Sequence, residues 1–327
     1  MFIAGSRQIM ELQRRTDMSF WTRIFQTVLR PFGNRLVIPS QPHPGGSPEV
    51  TAPNALLRVC DFKADRVDDI NIYEITQKEA ATPPVGPKRR ILYFPGGGWQ
   101  GPTSSGHWPM LQELAMALEN TAVTLVSYPL VPHDPAPTTF PKLEKLYDTL
   151  LLRYQEAGES VILAGDSAGG NLALALTVNA LNKTEDALCP QKLVVISPCC
   201  DLRHLDEQAE PALSSIAQND PFLTIRIANA TTDAWRDTWE ASDPRLSVSL
   251  ADVSVLAARG VRVYGITGGY DLLAPGAERF RDECHKAGVG GKWLSWEGQM
   301  HIFPLFFWLG LFESKEAKKW ILKAMEE

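Results

Sequence analysis

The sequence predicts an α/β fold: a mostly parallel central sheet flanked by helices. Three observations predict it. Short apolar runs alternate with helical runs from about residue 55 to 200 and again after 260. One such run, Val161–Ala164, ends abruptly in Gly165-Asp166-Ser167-Ala168-Gly169 and passes straight into an Ala/Leu-rich helical stretch from Asn171 to Leu181. The chain has 327 residues, 44% of them hydrophobic, enough for one large core.

Taken in order, residues 1 to about 50 are irregular. A helix is predicted over 17–30, and Pro39, Pro42, Pro44, Gly45, Gly46 and Pro48 mark a loop. The predicted strands are 56–60, 70–76, 90–94, 122–127, 160–164 and 192–197. Residues 202–250 interrupt the alternation with polar, helical and aromatic sequence. The pattern resumes with Val261–Thr267, a helix near 275–287, a strand Lys292–Trp296 and a helix near 314–326. The expected organisation is an N-terminal segment, 1–50, contributing to a cap, and a core over 51–327 with a cap insertion at about 202–250.

Composition excludes several classes. A net charge of −6 without a basic cluster argues against nucleic acid. No run of about 18 apolar residues is present. Cys60, Cys189, Cys199, Cys200 and Cys284 are scattered, without metal-ligand spacing, so reduced thiols and no bound metal are expected. No apolar signal core follows Met1, and a cytoplasmic location is the expectation.

The chemistry begins at the strand–turn–helix around Ser167. A turn this tight needs small neighbours, supplied by Gly165 and Gly169. It lifts the Ser167 hydroxyl above the sheet and aims the Ala168 N–H and the helix N-terminus at the same point. The alternative is a serine in an ordinary strand–helix turn, but the motif set between that strand and that helix favours the catalytic one. A second loop, Pro95-Gly96-Gly97-Gly98-Trp99, follows the 90–94 strand. Its glycines can turn consecutive N–H groups toward a developing oxyanion. The spacing matches neither a Gly-Lys-Ser/Thr phosphate loop nor a dinucleotide fingerprint.

A serine nucleophile needs a base, and the base an orienting acid. Of six histidines, His301 is best placed, in the loop after the Lys292–Trp296 strand. Asp271 follows the Val261–Thr267 strand. The order Ser167, Asp271, His301 is that of α/β-hydrolases. Either residue alone is ordinary; three at strand ends in this order are a constellation.

These residues carry a family resemblance. The chain resembles the hormone-sensitive-lipase-like α/β-hydrolases, the branch of arylacetamide deacetylases and steryl acetyl hydrolases. It does so through Gly165-Asp166-Ser167-Ala168-Gly169-Gly170-Asn171, the glycine run 96–98, Asp243-Pro244-Arg245-Leu246-Ser247, Asp271 and Gln299-Met300-His301, over roughly residues 55–325. It looks most like fungal members, several of which act on secondary metabolites. The resemblance implies an α/β-hydrolase fold with a helical cap and a cofactor-free esterase with Ser167 as nucleophile, His301 as base and Asp271 as acid. Gly97, Gly98 and Ala168 would donate to the oxyanion. The chain departs at Pro95, where the family carries His. Proline also stiffens a loop by fixing φ, so the oxyanion loop is expected to survive.

The cap segments should set specificity. Trp21, Ile24, Phe25, Val28 and Leu29 form a stripe at helical spacing, either packed on the core or touching a membrane or lipid-like substrate. Trp99 and Phe303 are candidates for the substrate pocket, and Ile302–Trp308 is either a pocket wall or a partner surface. The expected substrate is an apolar, medium-sized small-molecule ester. Acyl transfer or a dehydration or cyclisation at the same site remains open, and so does a non-catalytic binder. A homodimer is a further expectation from the family resemblance.

Overall fold

The computed structural model describes residues 9–33, 41–78 and 88–327. Pro39, named above in the N-terminal loop, lies outside the described residues. Nine strands form one sheet: β1 (Glu11–Arg15), β2 (Cys60–Val67), β3 (Ile70–Gln77), β4 (Arg89–Phe94), β5 (Thr121–Ser127), β6 (Ser160–Asp166), β7 (Lys192–Ile196), β8 (Arg262–Gly268) and β9 (Gly291–Trp296). Their spatial order is β1-β9-β8-β7-β6-β4-β5-β3-β2. All pairings are parallel except β2–β3 and β3–β5.

Alternation along the strands separates two cores. Leu92 and Phe94 of β4 and Val161 and Leu163 of β6 face one side. There they meet Phe140–Leu151 of α4 (Ala136–Glu156), Leu172–Val178 of α5 (Ser167–Lys183) and Phe280 of α9 (Ala274–Lys286). Ile91, Tyr93, Ile162 and Ala164 face the other side, against Trp108–Ala115 of α3 (His107–Ala117) and Ala317–Met325 of α10 (Phe312–Glu326). Because α5 is covered all round, it reads as an unbroken Ala/Leu run rather than a stripe.

Two differences from the sequence reading concern the sheet edges. Residues 56–60 are not a strand: Asn54–Leu57 is a single helical turn, α2, and the strand begins only at Cys60. Both β2 (CDFKADRV) and β1 (ELQRR) are edge strands whose charged, mostly exposed side chains hide the alternation. Charge on an edge discourages pairing with another chain, so the signal is suppressed where protection is needed.

The helix over 17–30 forms as α1 (Phe20–Leu29), capped by the Ser19 side chain, but only part of its apolar stripe turns inward. Its buried residues are polar: Thr22 bonds buried Glu313, and Gln26 Nε2 donates to Gly298 O at 3.0 Å. Of the apolar stripe, Phe25 and Leu29 are half-buried, whereas Trp21 and Val28 are 69% and 62% exposed. The stripe is therefore split: Phe25 and Leu29 pack against the core, Phe25 on Phe306 with ring centroids 5.5 Å apart, whereas Trp21, Ile24 and Val28 face outward. Residues 202–250 fold as α6 (Ala212–Asn219), α7 (Ile225–Arg236) and a short 3-10 turn, Val248–Leu250, with α8 (Ser254–Ala258) following. They meet the N-terminal segment at Asn219, whose carbonyl accepts from Arg30, and at Pro221, against which Gly33 packs too closely for any Cβ. Among the described residues no helix is long and apolar enough to cross a membrane.

Candidate active site

Ser167 sits between β6 and α5 with φ +51°, left-handed backbone that a non-glycine residue adopts at a cost. The flanking glycines hold it there. A Cβ on Gly165 would lie 2.6 Å from Phe94 O, and one on Gly169 2.0 Å from the same atom. The end of β4 is thus pressed against the turn, and β4 carries the glycine loop.

His301 enters from the loop after β9 and Asp271 from the loop after β8. His301 Nε2 is 2.9 Å from Ser167 Oγ, and His301 Nδ1 is 2.9 Å from Asp271 Oδ1. All three are buried. The Asp271 oxygen also accepts from Leu273 N–H at 2.9 Å. Burial opposes the imidazolium, but the Asp271 carboxylate, then Asp220 and Asp166, outweigh it and hold His301 above the ordinary histidine value.

Gly97, Gly98 and Trp99 all have positive φ (+128°, +60° and +55°), which curls the loop back on itself so that Gly101 N–H donates to Gly97 O. Gly97, Gly98 and Ala168 line the space beside Ser167, and the Gly97 and Gly98 N–H groups have no partner among the described residues. Pro95 leaves the loop well braced. Its carbonyl accepts from Tyr128 Oη at 2.7 Å, and the Gly96 N–H donates to Asp166 at 3.1 Å.

Asp166 is a hub that the sequence reading missed. Its carboxylate also accepts from Tyr93 Oη at 2.9 Å and from His107 Nε2 at 3.2 Å, while Ser104 N–H donates to His107 Nδ1 and fixes that tautomer. Burial raises an acid's pKa, but His107, Tyr93 and the Gly96 N–H outweigh it and hold Asp166 below the usual carboxylate range. Asp166→Asn is expected to lower kcat about tenfold to a hundredfold by loosening the glycine loop, measured per reactive site. An unchanged kcat would remove the hub from the account. His107 stood in the sequence as one histidine of six, with no spacing to single it out.

A cavity of about 1000 Å³ opens above Ser167. Its walls come from the glycine loop, from Phe222, Leu223, Ile227 and Thr231 of the 202–250 segment, and from Ile302, Leu305, Phe306 and Trp308. Trp99 lines it and also stacks on Trp235, with centroids 5.4 Å apart and planes 3° from parallel, so it is both wall and packing. Phe303, expected at the pocket, is turned into the core against Trp296. The reversal follows from Ile302, whose φ of +48° re-aims the chain into a 3-10 turn, Phe303–Leu309, that presents Leu305 and Phe306 instead.

The chain belongs to the α/β-hydrolase fold family, whose profile matches residues 91–305. It is similar to esterases and to hormone-sensitive lipases. An esterase of Acinetobacter venetianus is 27% identical over 78% of this chain and 83% of its own length. The hormone-sensitive lipase of Homo sapiens is 33% identical over 47% of this chain and 14% of that protein. A crystal structure of a hormone-sensitive lipase from a metagenome library shares the fold with a TM-score of 0.71 at 21% identity, over 95% of this chain and 99% of the other.

Proposed function

We propose that this chain is a serine carboxylic-ester hydrolase. Ser167 Oγ attacks the ester carbonyl while His301 Nε2 takes its proton. Asp271 holds the imidazole by Nδ1 and stabilises its charged form. The oxyanion is received by the N–H groups of Gly97, Gly98 and Ala168. The carbonyl–alkoxy bond breaks, and the alcohol leaves with the proton from His301. Water, activated by the same histidine, releases the acid from the acyl-enzyme. The observation that carries this reading is the unbroken line of two 2.9 Å contacts from Asp271 through His301 to Ser167, at the floor of the cavity. No cofactor enters the sequence of steps.

The mostly apolar walls favour an apolar, medium-sized ester, in keeping with a fungal secondary-metabolite enzyme of the arylacetamide deacetylase and steryl acetyl hydrolase branch. The N-terminal segment, 1–50, contributes to the cap through α1, together with 202–250, over a core of 51–327 that β1 joins at one edge of the sheet. The outward apolar face of α1, with Phe20, Trp21, Ile24 and Val28, suits contact with a lipid surface.

Intact mass after treatment with a fluorophosphonate tests the reading. One adduct on wild type, absent from Ser167→Ala, is expected; a folded wild type that takes no adduct overturns it. An ester panel graded by chain length, with alcohols added, then separates hydrolysis from acyl transfer. The pH profile is a second check. His301 must be neutral to act as base and its pKa is raised, so kcat/KM should fall as pH drops through a value above the unperturbed ~6.5. An acid limb below that value contradicts the buried His301–Asp271 pair.

A further inference from the structure

Asp220 lies just after α6, in the 202–250 segment, and is buried. One carboxylate oxygen accepts from the N–H groups of Phe222 and Leu223, at 2.8 and 3.0 Å, closing the turn that presents both side chains to the cavity. The other oxygen reaches out of the segment and accepts from Leu272 N–H at 2.9 Å. Leu272 follows Asp271 directly, in the loop after β8. A single buried carboxylate therefore spans two parts of the fold, the cavity wall and the loop that carries the acid of the site.

We propose that Asp220 is a positioning residue for this reaction. It locks the roof of the cavity to the Asp271 loop and sets the orientation of Asp271 and, through it, of His301. The inference rests on the hydrolase reading above. Three N–H donors on two oxygens are more than a local turn requires. The turn at Phe222 and Leu223 uses one oxygen alone, and an asparagine carbonyl would serve it equally. The bond to Leu272 needs the second oxygen.

The charge of Asp220 also belongs to the site. Burial and the neighbouring Asp271 charge raise its pKa, while His301 and the Leu272 and Leu223 N–H groups pull the other way and favour the carboxylate. The charged groups facing His301 are Asp271 from the loop after β8, Asp220 from the roof, and Asp166, paired with His107, from the end of β6. Arg30 approaches on the outer side, at Asn219 O. Removing the Asp220 charge removes one cause that raises His301, so the histidine should stay neutral to lower pH.

The test compares wild type, Asp220→Asn and Asp220→Glu with a short-chain p-nitrophenyl ester, each rate divided by the fraction of sites labelled by fluorophosphonate. For Asp220→Asn, kcat is expected to fall about tenfold. Its acid limb should move to lower pH by roughly half a unit. Asp220→Glu keeps the charge but displaces it by one methylene, so kcat should fall while the limb stays near its wild-type position. A purely structural role predicts lower melting temperatures with per-site kcat and acid limb unchanged, and that result in Asp220→Asn overturns the inference. Should Asp220→Asn fail to fold, a wild-type kcat in Asp220→Glu overturns it equally. If wild type takes no label at Ser167, the hydrolase reading fails and this inference falls with it. If wild type is labelled and the variants are indistinguishable from it, only the role of Asp220 fails.

Discussion

Ser167→Ala is expected to lower kcat by about six orders of magnitude, the loss seen when the nucleophile of a serine hydrolase is removed. That corresponds to about 8 kcal/mol of barrier, at 1.36 kcal/mol per tenfold. A residual rate about a thousandfold above the uncatalysed one should survive, because the N–H groups of Gly97, Gly98 and Ala168 and the cavity are untouched. Stability should hardly change. Ser167 has left-handed backbone whichever side chain it carries, and the variant gives up one hydrogen bond to His301. His301→Ala should cost about as much, since nucleophile and base act as a unit, and the double variant should be no worse than either single one. Additive losses in Ser167→Ala and His301→Ala, or a Ser167→Ala protein that keeps its esterase rate, would show that the chemistry runs through another group. Rates measured with substrate in large excess, alongside thermal melts, decide between these outcomes.

How much of this was legible in the chain depends on the range of the forces involved. The strand–turn–helix at Ser167 was, because Gly165 and Gly169 are required by contacts within a few residues and with the adjacent strand. The central strands were legible because each carries a run of buried apolar residues. The edges were not: β1 and β2 carry charge where an edge must repel a partner. For α1 the periodicity was visible but not its direction. Apolar spacing marks a stripe, whereas Thr22 and Gln26, finding Glu313 and the Gly298 carbonyl far along the chain, rotate the helix so that only Phe25 and Leu29 of that stripe reach the core. Phe303 shows the same limit on a smaller scale, since one left-handed residue, Ile302, exchanged it for Leu305 and Phe306 at the cavity. Asp166 stood in the sequence only as the neighbour of Ser167, with no role of its own, and His107 and Asp220 had no signal at all. Each owes its place to a tertiary contact, and an aspartate in a turn reads as an ordinary turn former.

Gly169→Ala is expected to damage fold and site together, and the comparison with another glycine separates sterics from backbone strain. A Cβ at Gly169 would lie 2.0 Å from Phe94 O, 2.5 Å from Phe94 C and 2.7 Å from Pro95 C. All three are backbone atoms at the end of a central strand paired on both sides, so no side chain can swing away. Either α5 lifts from the sheet or the β4 end and the glycine loop move, and each option displaces Ser167 from the N–H groups of Gly97 and Gly98. The cost should be about 3 kcal/mol or more, at the upper end of overpacking effects. That is a fall of roughly 5 °C or more in Tm for a chain of this size. The kcat per labelled site should fall about a hundredfold with it, as for a misplacement of about 1 Å. Gly288→Ala is the control. Gly288 also holds a conformation that favours glycine, with φ +73°, but an added Cβ meets nothing within 4 Å. It should lose about 1 kcal/mol through backbone strain and leave kcat unchanged. If both variants lose stability alike and neither loses kcat, the contact between the β4 end and the turn is not what holds Ser167 against the glycine loop. If Gly169→Ala alone loses kcat, the close approach of two backbones is what makes the serine and the N–H groups of the glycine loop a single site.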